Sequence, residues 1–470
     1  MNDELVKPTE IAIKDSKQMI NGQVVRAAIF ARSEIFEVTT INNESYYLIY
    51  YKNAFIYGDK VEGIEEGSFI DHAFQQGVVF ESQHTIMSEL LPKSSVTLPN
   101  KNKLFAQLQN QYDLQETAYI ATTLDSFFTR DHIIKVVNKI LSYFKRGGKY
   151  FKAFQVLQIL TAFAPDLQSA KDRFNSLDFL SYKDFYKSSD WPSIQQKDPL
   201  YVERYCFEHR FNPEERNLLE DVLRQQDRLF ELLLLWLEKA KREATVDTES
   251  LKLYTDIAAQ FVSKEAWMLM LEQANINPFQ QLSEAKSVIE TLIQEGYYEQ
   301  AALHLLDFID DLPDNYDSIL DSLWTNLNAA FIVSHLDDFI LVIEQFPHND
   351  QSQSEQKIRQ LAVKLLEKHE VNTVHEKLTP IKTIFPQSEV IRDIDHMAGL
   401  TESPDRMMEL GQYYAQFQQY DAAIDCFSWE MELHPQHATP VEHLSKMYQH
   451  KGMPEEAAAY QHILVELKKF

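Results

Sequence analysis

The N-terminal part of the chain contains two short segments in which β-branched and aromatic residues dominate. These are residues 34–41 and 46–51, and their composition is typical of β-strands. A turn-prone Asn-Asn-Glu-Ser stretch separates them, so the pattern predicts a hairpin. Residues 24–31 before it and 54–57 after it are further strand candidates. We therefore expect a small sheet over about residues 22–60, within an N-terminal region that ends near residue 100.

From about residue 105 onward the hydrophobic positions recur at helical spacing. Examples are Leu104, Leu108, Leu114, Tyr119 and Leu124, whose recurrence we interpret as helical and not as the alternation of a strand. No later segment returns to alternation by two. The pattern predicts a mostly α protein with a small N-terminal β-containing region.

A fixed interval of about 34 residues runs through the helical part. Pro278, Pro313 and Pro347 follow one another at 35 and 34 residues, and we expect each to come after a helical stretch, because proline does not continue a helix. The interval also relates two segments near the C-terminus, in which the equivalent residues are Leu410 and Leu444, Gly411 and Ser445, Tyr414 and Tyr448, and Ala423 and Ala457. The helical part is therefore expected to be a repeat array.

Residues 404–437 and 438–470 resemble tetratricopeptide repeats, whose first helix carries a Leu-Gly-Tyr pattern and whose second carries small and aromatic residues before a proline. Residues 404–437 depart from this pattern at Glu430, where the family has a second alanine. The resemblance implies a right-handed α-α superhelix, a solenoid of antiparallel helix pairs. A weaker resemblance extends to four degenerate units, at 134–167, 247–280, 282–315 and 316–349. We expect residues 350–403 to be an irregular helical connector before the C-terminal pair of repeats.

Stacked helix pairs leave one concave surface free, and in the family five positions of each unit line it. The residues at these positions are Asp405, Met408, Gln412, Ala415 and Gln416 in the first C-terminal unit, Thr439, Glu442, Lys446, Gln449 and His450 in the second, and Lys135, Asn138, Lys145 and Arg146 in the unit at 134–167. Some relatives grip a C-terminal carboxylate with Lys and Asn at fixed positions. Met408 and Gln412 occupy the first pair of those positions here, so we expect no carboxylate clamp.

The basic residues of the unit at 134–167 have two interpretations. They form a local patch for an acidic ligand, or Lys145, Arg146 and Lys149 only complement the carbonyl end of a helix. The second interpretation is the more common role of basic residues at such a position.

Composition restricts the classes of partner. The chain has 470 residues, with 45 Lys and Arg against 71 Asp and Glu, and thus a net charge of −26. Such a field repels phosphate backbones and anionic lipid, so we expect neither nucleic acid nor membrane as a partner, but a basic or neutral protein or peptide. Only 11 residues are Gly, far below the usual share of about 7%, which favours helices. The abundance of Ile, Asn, Gln, Lys and Glu is typical of a bacterial source.

Cys206 and Cys426 stand 220 positions apart, and two such distant cysteines indicate neither a disulfide framework nor a metal site. Residues 1–17 lack the apolar segment of a signal peptide. The longest apolar run, residues 232–237, is much shorter than the roughly 18 residues of a spanning helix. We therefore expect a cytoplasmic protein.

Motifs for catalysis, cofactors and metals are weak, and none is expected to be used. Gly147 and Gly148 lack the Lys-Ser or Lys-Thr that completes a phosphate loop. His369 and His375 are six residues apart and so do not share a helix face. The histidines at 434, 437, 443 and 450 lack ligand spacing, and Cys206 beside His209 is expected to be structural.

Three functions remain open on these grounds. The first is a non-enzymatic scaffold or adaptor that binds a peptide or helix of a partner protein in the concave groove. The second is a peptide-sensing regulatory receptor of the bacterial helical-repeat type. The third is an enzyme with a site in the N-terminal 130 residues, where Asp71, His72, Glu81 and His84 form a polar cluster in the sequence. A homo-oligomer is an open alternative in each case.

Overall fold

The computed structural model describes residues 8–15, 18–188, 190–243, 246–345 and 351–468. The chain forms two compact units, which divide between Ala285 and Lys286. The first unit contains the β-sheet and the helices up to residue 281, and the second unit is helical in its described part. The predicted fold class, mostly α with an N-terminal β region, is confirmed.

The described strands form one sheet in the first unit. They are β1 (Glu10–Asp15), β2 (Gln18–Phe30), β3 (Ser33–Thr40), β4 (Ser45–Tyr51), β5 (Ala54–Lys60), β6 (Val78–Glu81) and β7 (Ser95–Thr97). The order is β5-β4-β3-β2-β1-β7, and β6 also pairs with β2. All described pairs are antiparallel except β1 with β7.

The predicted hairpin is confirmed, because β3 and β4 pair from Ser33 opposite Tyr51 to Thr39 opposite Ser45. The connecting turn places Asn43 at φ 62°, a left-handed conformation that asparagine tolerates. The sheet is larger than residues 22–60. Its additional strands β6 and β7 have only 4 and 3 residues, too few to show an alternating pattern, and they join β2 and β1 through long-range pairing.

The helices of the first unit follow β5 in the chain, with α1 before β6 and α2 between β6 and β7. They are α1 (Phe69–Gln76), α2 (Met87–Leu90), α3 (Leu104–Gln111), α4 (Leu114–Thr122), α5 (Arg130–Arg146), α6 (Tyr150–Phe163), α7 (Gln168–Phe174), α8 (Leu180–Lys187), α9 (Trp191–Lys197), α10 (Pro199–Glu208), α11 (Pro213–Gln225), α12 (Leu229–Glu243), α13 (Thr248–Ala258), α14 (Lys264–Gln273) and α15 (Pro278–Gln281). Short 3₁₀ segments occur too, such as Leu177–Phe179. Polar N-caps begin many of the helices; for example, Asp113 accepts a hydrogen bond from the Glu116 amide at 2.8 Å.

The second unit consists of helices and short 3₁₀ segments. The helices are α16 (Ala285–Gln294), α17 (Tyr298–Leu306), α18 (Asp317–Asn326), α19 (Ala329–Ser334), α20 (Leu336–Gln345), α21 (Gln351–Leu366), α22 (Val371–Ile384), α23 (Glu389–Leu400), α24 (Met407–Gln416), α25 (Tyr420–Leu433), α26 (Ala438–His450) and α27 (Pro454–Leu467). The 3₁₀ segment Pro404–Arg406 precedes α24.

Four of the predicted units share one turn between their two helices. The fifteenth residue of each unit has a positive φ of 61° to 86°; these residues are Gly148, Gly296, Gln418 and Gly452. The next amide donates to the carbonyl five residues earlier, at 2.9 Å for Lys149 to Phe144, 2.8 Å for Tyr297 to Leu292, and 2.9 Å for both Gln419 to Tyr414 and Met453 to Tyr448. This is a Schellman closure of the first helix. The helical-repeat fold is therefore visible in the backbone itself.

Small residues allow the two helices of a pair to approach closely. The alanines at the twentieth position of the same four units, Ala153, Ala301, Ala423 and Ala457, are at most 6% exposed. At Gly411, a Cβ atom would lie only 2.7 Å from the Phe427 ring. At the equivalent position of the last unit the Ser445 hydroxyl donates to the Ala457 carbonyl at 3.0 Å. Gly411 and Ser445 thus mark the point where the second helix crosses the first.

The units predicted at 247–280 and 316–349 differ from this geometry. Leu253, at the position in its unit that corresponds to Leu410 and Leu444, is 45% exposed, whereas those two leucines are buried. Pro278 follows the helix α14, which ends at Gln273, and is itself the first residue of α15. Residues 316–345 form the three helices α18, α19 and α20 instead of one pair. Pro347 lies outside the described residues.

Strand β4 is buried on both faces of the sheet, whereas β1 and the first residues of β2 have exposed side chains. All six side chains of residues 46–51 are buried, although alternate side chains of a strand point to opposite faces. Helix α1 contributes Phe74, whose ring centroid lies 6.4 Å from that of Tyr47. Helix α4 contributes Tyr119, at 6.1 Å from Tyr51. Because Tyr47 and Tyr51 are four residues apart on β4, their side chains point to the same face, which α1 and α4 both cover.

A buried ionic network joins the sheet to helices distant in sequence. Arg32, in the turn between β2 and β3, donates through Nε to Glu203 of α10 at 2.7 Å and lies 3.2 Å from Glu116 of α4. Arg228 donates to the other oxygen of Glu203, also at 2.7 Å. Glu203 is 1% exposed, so its charge depends on both guanidinium groups.

The apolar run at residues 232–237 lies within α12 and is buried throughout. The run is therefore part of the packed interior of the first unit. Within the described residues, no helix combines the length and the apolar character that crossing a bilayer requires.

We expect that Ala457→Leu destabilises the last helix pair by about 1–3 kcal/mol, because the longer side chain overpacks the crossing of α26 and α27. Hydrogen exchange of the α26 and α27 amides measures the effect locally. Ala458→Leu is the matched control, since Ala458 is exposed on the same helix. Equal protection in both variants would contradict the assigned register.

We also expect Glu34→Gln to stabilise the first unit at alkaline pH. Burial raises the pKa of the Glu34 carboxyl to about 8, and its Oε2 has no hydrogen-bond partner among the described residues. Because the folded-state pKa exceeds the unfolded one, stability falls as pH rises between the two values, and the glutamine variant lacks this loss. Thermal unfolding at roughly pH 5 and pH 8.5 tests this; an advantage of the same size at both pH values would contradict it.

Candidate binding face of the C-terminal helix pairs

Helices α24 to α27 pack consecutively around one apolar core. The buried members of the core are Ala423, Ile424, Phe427, Leu444 and Met447, and partly buried residues such as Met408, Tyr414, Tyr448 and Tyr460 pack against it. Leu410 is 4% exposed. The core spans both helix pairs, so the two repeats form one continuous body.

The first helices α24 and α26 each have one solvent side. Gln412 and Gln416 lie one turn apart on α24 and are exposed, opposite Leu410 and Tyr414. On α26, Lys446 and His450 have the same relation to Leu444. We define the first-helix face as the exposed residues Asp405, Gln412, Gln416, Thr439, Lys446, Gln449 and His450, together with the half-buried Glu442.

Two residues assigned to the groove by the resemblance are less accessible than the others. Met408 is partly buried and packs against the core of the C-terminal helices. Ala415 is half-buried on α24. Their side chains therefore pack under the exposed residues of the face and are less accessible to a ligand.

The chemistry of the first-helix face is mainly that of amides. Glu442 accepts a hydrogen bond from Lys446 at 2.8 Å, and this bond and charge lower the pKa of the Glu442 carboxyl. The imidazole of His450 stacks on Tyr420 with centroids 5.4 Å apart and planes 6° apart. Glutamine side chains both donate and accept hydrogen bonds, which suits the backbone of a bound peptide.

The sequence pattern missed an apolar surface on the second helix of the same pair. Trp429 and Leu433, both on α25, are each 50% exposed. They lie one turn apart on a side of α25 away from Ala423 and Phe427. The family pattern gives no signal for them, because the first helices are the ones expected to line the groove.

The basic set of the unit at 134–167 lies on α5, in the first unit of the chain. Asn138 accepts a hydrogen bond from Arg173 of α7 at 2.8 Å. Lys145 lies 3.9 Å from a carboxylate oxygen of Asp178. Arg146 donates through Nε to the Ser142 carbonyl at 3.2 Å. Arg146 thus contacts a carbonyl near the end of α5, as the helix-end interpretation predicts, whereas Lys135 projects into solvent.

The polar residues considered for an enzyme site do not form one cluster. Asp71 and His72 line an open cleft of about 460 Å³, whose lining includes neither Glu81 nor His84. The cleft also contains Asp125, whose carboxyl accepts the Phe69 amide at 3.0 Å and whose pKa burial raises to about 6. His84 is half-buried elsewhere, and desolvation lowers its pKa to about 3.

Both cysteines are buried. Burial raises the pKa of the Cys206 thiol to about 12 and that of Cys426 to about 11, so both stay protonated near neutral pH, which is unsuited to nucleophilic attack. In the described part of the chain, no group of three or more His, Cys, Asp and Glu residues has the arrangement of a metal site.

Comparison with known proteins identifies no family. No protein-family model matches the chain, and no curated protein matches it. Among solved structures, the chain is similar to one described as the crystal structure of the APC/C hetero-tetramer Cut9-Hcn1, with 13% sequence identity over 82% of this chain and 84% of that chain and a TM-score of 0.19. A score this low carries no argument, so the assignment of a helical-repeat fold rests on the helix pairs themselves.

Proposed function

We propose that the protein is a non-enzymatic interaction scaffold or adaptor, which binds a peptide or helix of a partner protein on the first-helix face. The observation that carries the proposal is the division of α24 and α26 into two sides. One side of each helix enters the shared core, and the other remains exposed over two consecutive repeats. A side that no neighbouring described residue covers is available to a partner.

The rigidity of the helix pairs favours binding on this face. The Schellman turns at Gln418 and Gly452 and the crossings at Gly411 and Ser445 determine the position of each first helix relative to its second helix. A prearranged surface loses little conformational freedom when it binds a partner. The first-helix face is therefore preorganised, which favours the binding of a peptide.

The chemistry of the face favours a basic or neutral partner. Asp405 and Glu442 supply carboxylates, and the three glutamines supply hydrogen-bonding groups. The net charge of −26 adds a long-range attraction to basic segments. Such attraction weakens as salt screens it, so the affinity for a basic segment decreases with salt concentration.

A peptide-sensing receptor would use the same face for a short free peptide. The two functions differ in their products: the scaffold forms a stable complex with a protein, whereas the receptor changes its own stability when a short peptide binds. Site-specific photo-crosslinking distinguishes them, since it reports which molecule lies against a chosen residue.

We expect a photo-reactive amino acid at Gln412 or Gln449 to crosslink to the same segment of one partner protein. The same amino acid at Asp425 or Glu432, exposed on the second helix α25, is the matched control. A synthetic peptide of the crosslinked segment then binds the purified full chain in calorimetry. The double variant Gln412→Ala with Gln449→Ala weakens this binding by about tenfold or more.

Equal crosslinking from the control positions would contradict the proposed face, because the contact would then not involve the first helices. Unchanged affinity in the double variant would also contradict it. The salt dependence of the affinity tests the charge argument separately. An affinity that is the same at roughly 50 mM and 300 mM salt would show that the −26 charge plays no part.

A further inference from the structure

The charge of the chain is unevenly distributed. Residues 130–188 contain eleven Lys and Arg against five Asp and no Glu, which is a net charge of +6, so the rest of the chain carries −32. These residues cover the helices α5 to α8 of the first unit. A basic surface of this kind in an acidic protein produces a local field of opposite sign.

The solvent side of α5 carries much of this charge in one line. Lys135, Lys139, Ser142 and Arg146 are all exposed, and their spacing of four, three and four residues places them along one face of the helix. The line is about 16 Å long, at about 1.5 Å per residue. Lys135 and Lys139 form no salt bridge with the described residues.

Helix α7 and the segment after it extend this basic surface beside α5. Arg173 reaches across to Asn138 at 2.8 Å. Lys183 of α8 lies over the ring of Phe174, 4.3 Å from its centroid. Among the described residues, Asp178 lies 3.9 Å from Lys145, and the other carboxylates beside α5 are near its N-terminus, where Asp166 pairs with Arg130 and Asp131 is in the first turn.

Apolar side chains lie exposed next to the basic line. Tyr143 on α5 is 57% exposed, and Leu177, adjacent to Asp178, is 86% exposed. Leu180 at the start of α8 is 44% exposed. We define the basic face as Lys135, Lys139, Arg146 and Arg173 with Tyr143 and Leu177. It combines positive charge with apolar area, a combination that recognises ligands having both acidic and apolar groups.

We propose that the basic face is a second docking surface, which binds an acidic amphipathic segment of another protein. A helix of about three turns, with carboxylates at four- and seven-residue spacing, matches the 16 Å line of α5, at about 1.5 Å per residue. Its apolar side chains would cover Tyr143 and Leu177. This surface lies in the other unit from the first-helix face and selects the opposite charge, so it does not depend on the function proposed above.

Electrostatics favours a short acidic segment over an extended anionic surface. A membrane or a long nucleic acid would also face the remaining −32 charge of the chain, and repulsion between like charges opposes that approach. A segment of three turns, about 16 Å long, spans about two Debye lengths, each about 8 Å at physiological salt. It therefore interacts mainly with the basic face and little with the acidic remainder.

The test uses the full-length chain and a fluorescent peptide of about 16 residues built from Glu, Leu and Ala with this carboxylate spacing. We expect fluorescence anisotropy to show binding that weakens as salt rises. The triple variant Lys135→Glu, Lys139→Glu and Arg146→Glu abolishes this binding. The peptide with Gln in place of Glu does not bind, because the charge attraction is lost.

The matched control changes three other exposed lysines of the first unit, as Lys93→Glu, Lys252→Glu and Lys264→Glu. It alters the net charge equally and is expected to retain peptide binding. The neutral triple variant Lys135→Gln, Lys139→Gln and Arg146→Gln removes the positive charges without adding negative ones, and it is also expected to lose peptide binding. Circular dichroism checks that each variant is folded. Crosslinking from Gln412 is expected to be unchanged in all of them, which separates this proposal from the first.

Several results would overturn the proposal. One is failure of the acidic peptide to bind, and another is equal loss of binding in the lysine control. Tighter binding of anionic lipid vesicles or of a single-stranded oligonucleotide, lost in the triple variant, would assign the surface to another class of partner. Self-association in analytical ultracentrifugation that the triple variant removes would assign it to a second copy of this chain.

Discussion

The close crossing of two helices at a small residue is the contact on which the repeat architecture depends. At Gly411 there is no room for a Cβ atom, because the Phe427 ring would lie 2.7 Å from it. Ala423 and Ala457 allow the same proximity from the second helix. Since the helices are held this closely, the larger residues Phe427, Leu444 and Met447 interlock in one core. That core in turn decides which side of α24 and α26 faces outward.

The first unit is built on a different constraint. Its strand β4 is buried on both faces of the sheet, and Arg32 is held beside the sheet by Glu203 and Glu116 from two separate helices. Removing one partner of such a buried ion pair lowers the stability of the fold by more than the intact pair contributes to it, because the remaining buried charge is left unpaired. The sheet therefore requires the helices that supply Glu203 and Glu116. The solvent side of α5 is exposed and carries the line of basic residues. In both units the residues that pack the core are different from the exposed residues that form the candidate surface, namely the first-helix face or the basic face.

The sequence allowed prediction of those features that local pattern controls. The hairpin of β3 and β4 and the four helix pairs with a left-handed turn residue have signals within about 34 residues. Gln418 occupies that turn at φ 61°, although only the equivalent residues that are glycine could be recognised from residue type. The exposed Trp429 also lacked a signal, since its exposure depends on what the neighbouring helices leave uncovered.

Features that join distant parts of the chain could not be predicted. Strands β6 and β7 have 4 and 3 residues, and their pairing depends on β2 and β1. The Arg32 and Glu203 pair spans 171 residues, a separation at which a single sequence gives no register. The basic residues of α5 were recognised, but Arg173 and Leu177 join them only through the packing of α7. The candidate surfaces were therefore predicted in part, and their extent comes from the structure.

The separation between Arg32 and Glu203 also has a consequence for biosynthesis. The strands β1 to β5 leave the ribosome well before α10, whose Phe207 packs on Phe30 with ring centroids 5.1 Å apart. At about 5–20 residues per second, the 171 residues that separate the ion pair take roughly 10–35 s to synthesise. During this interval the nascent sheet has an apolar face that α10 has not yet covered, and the Arg32 guanidinium lacks its Glu203 partner. The period of greatest aggregation risk for this protein thus falls during translation, before the helical layer is complete.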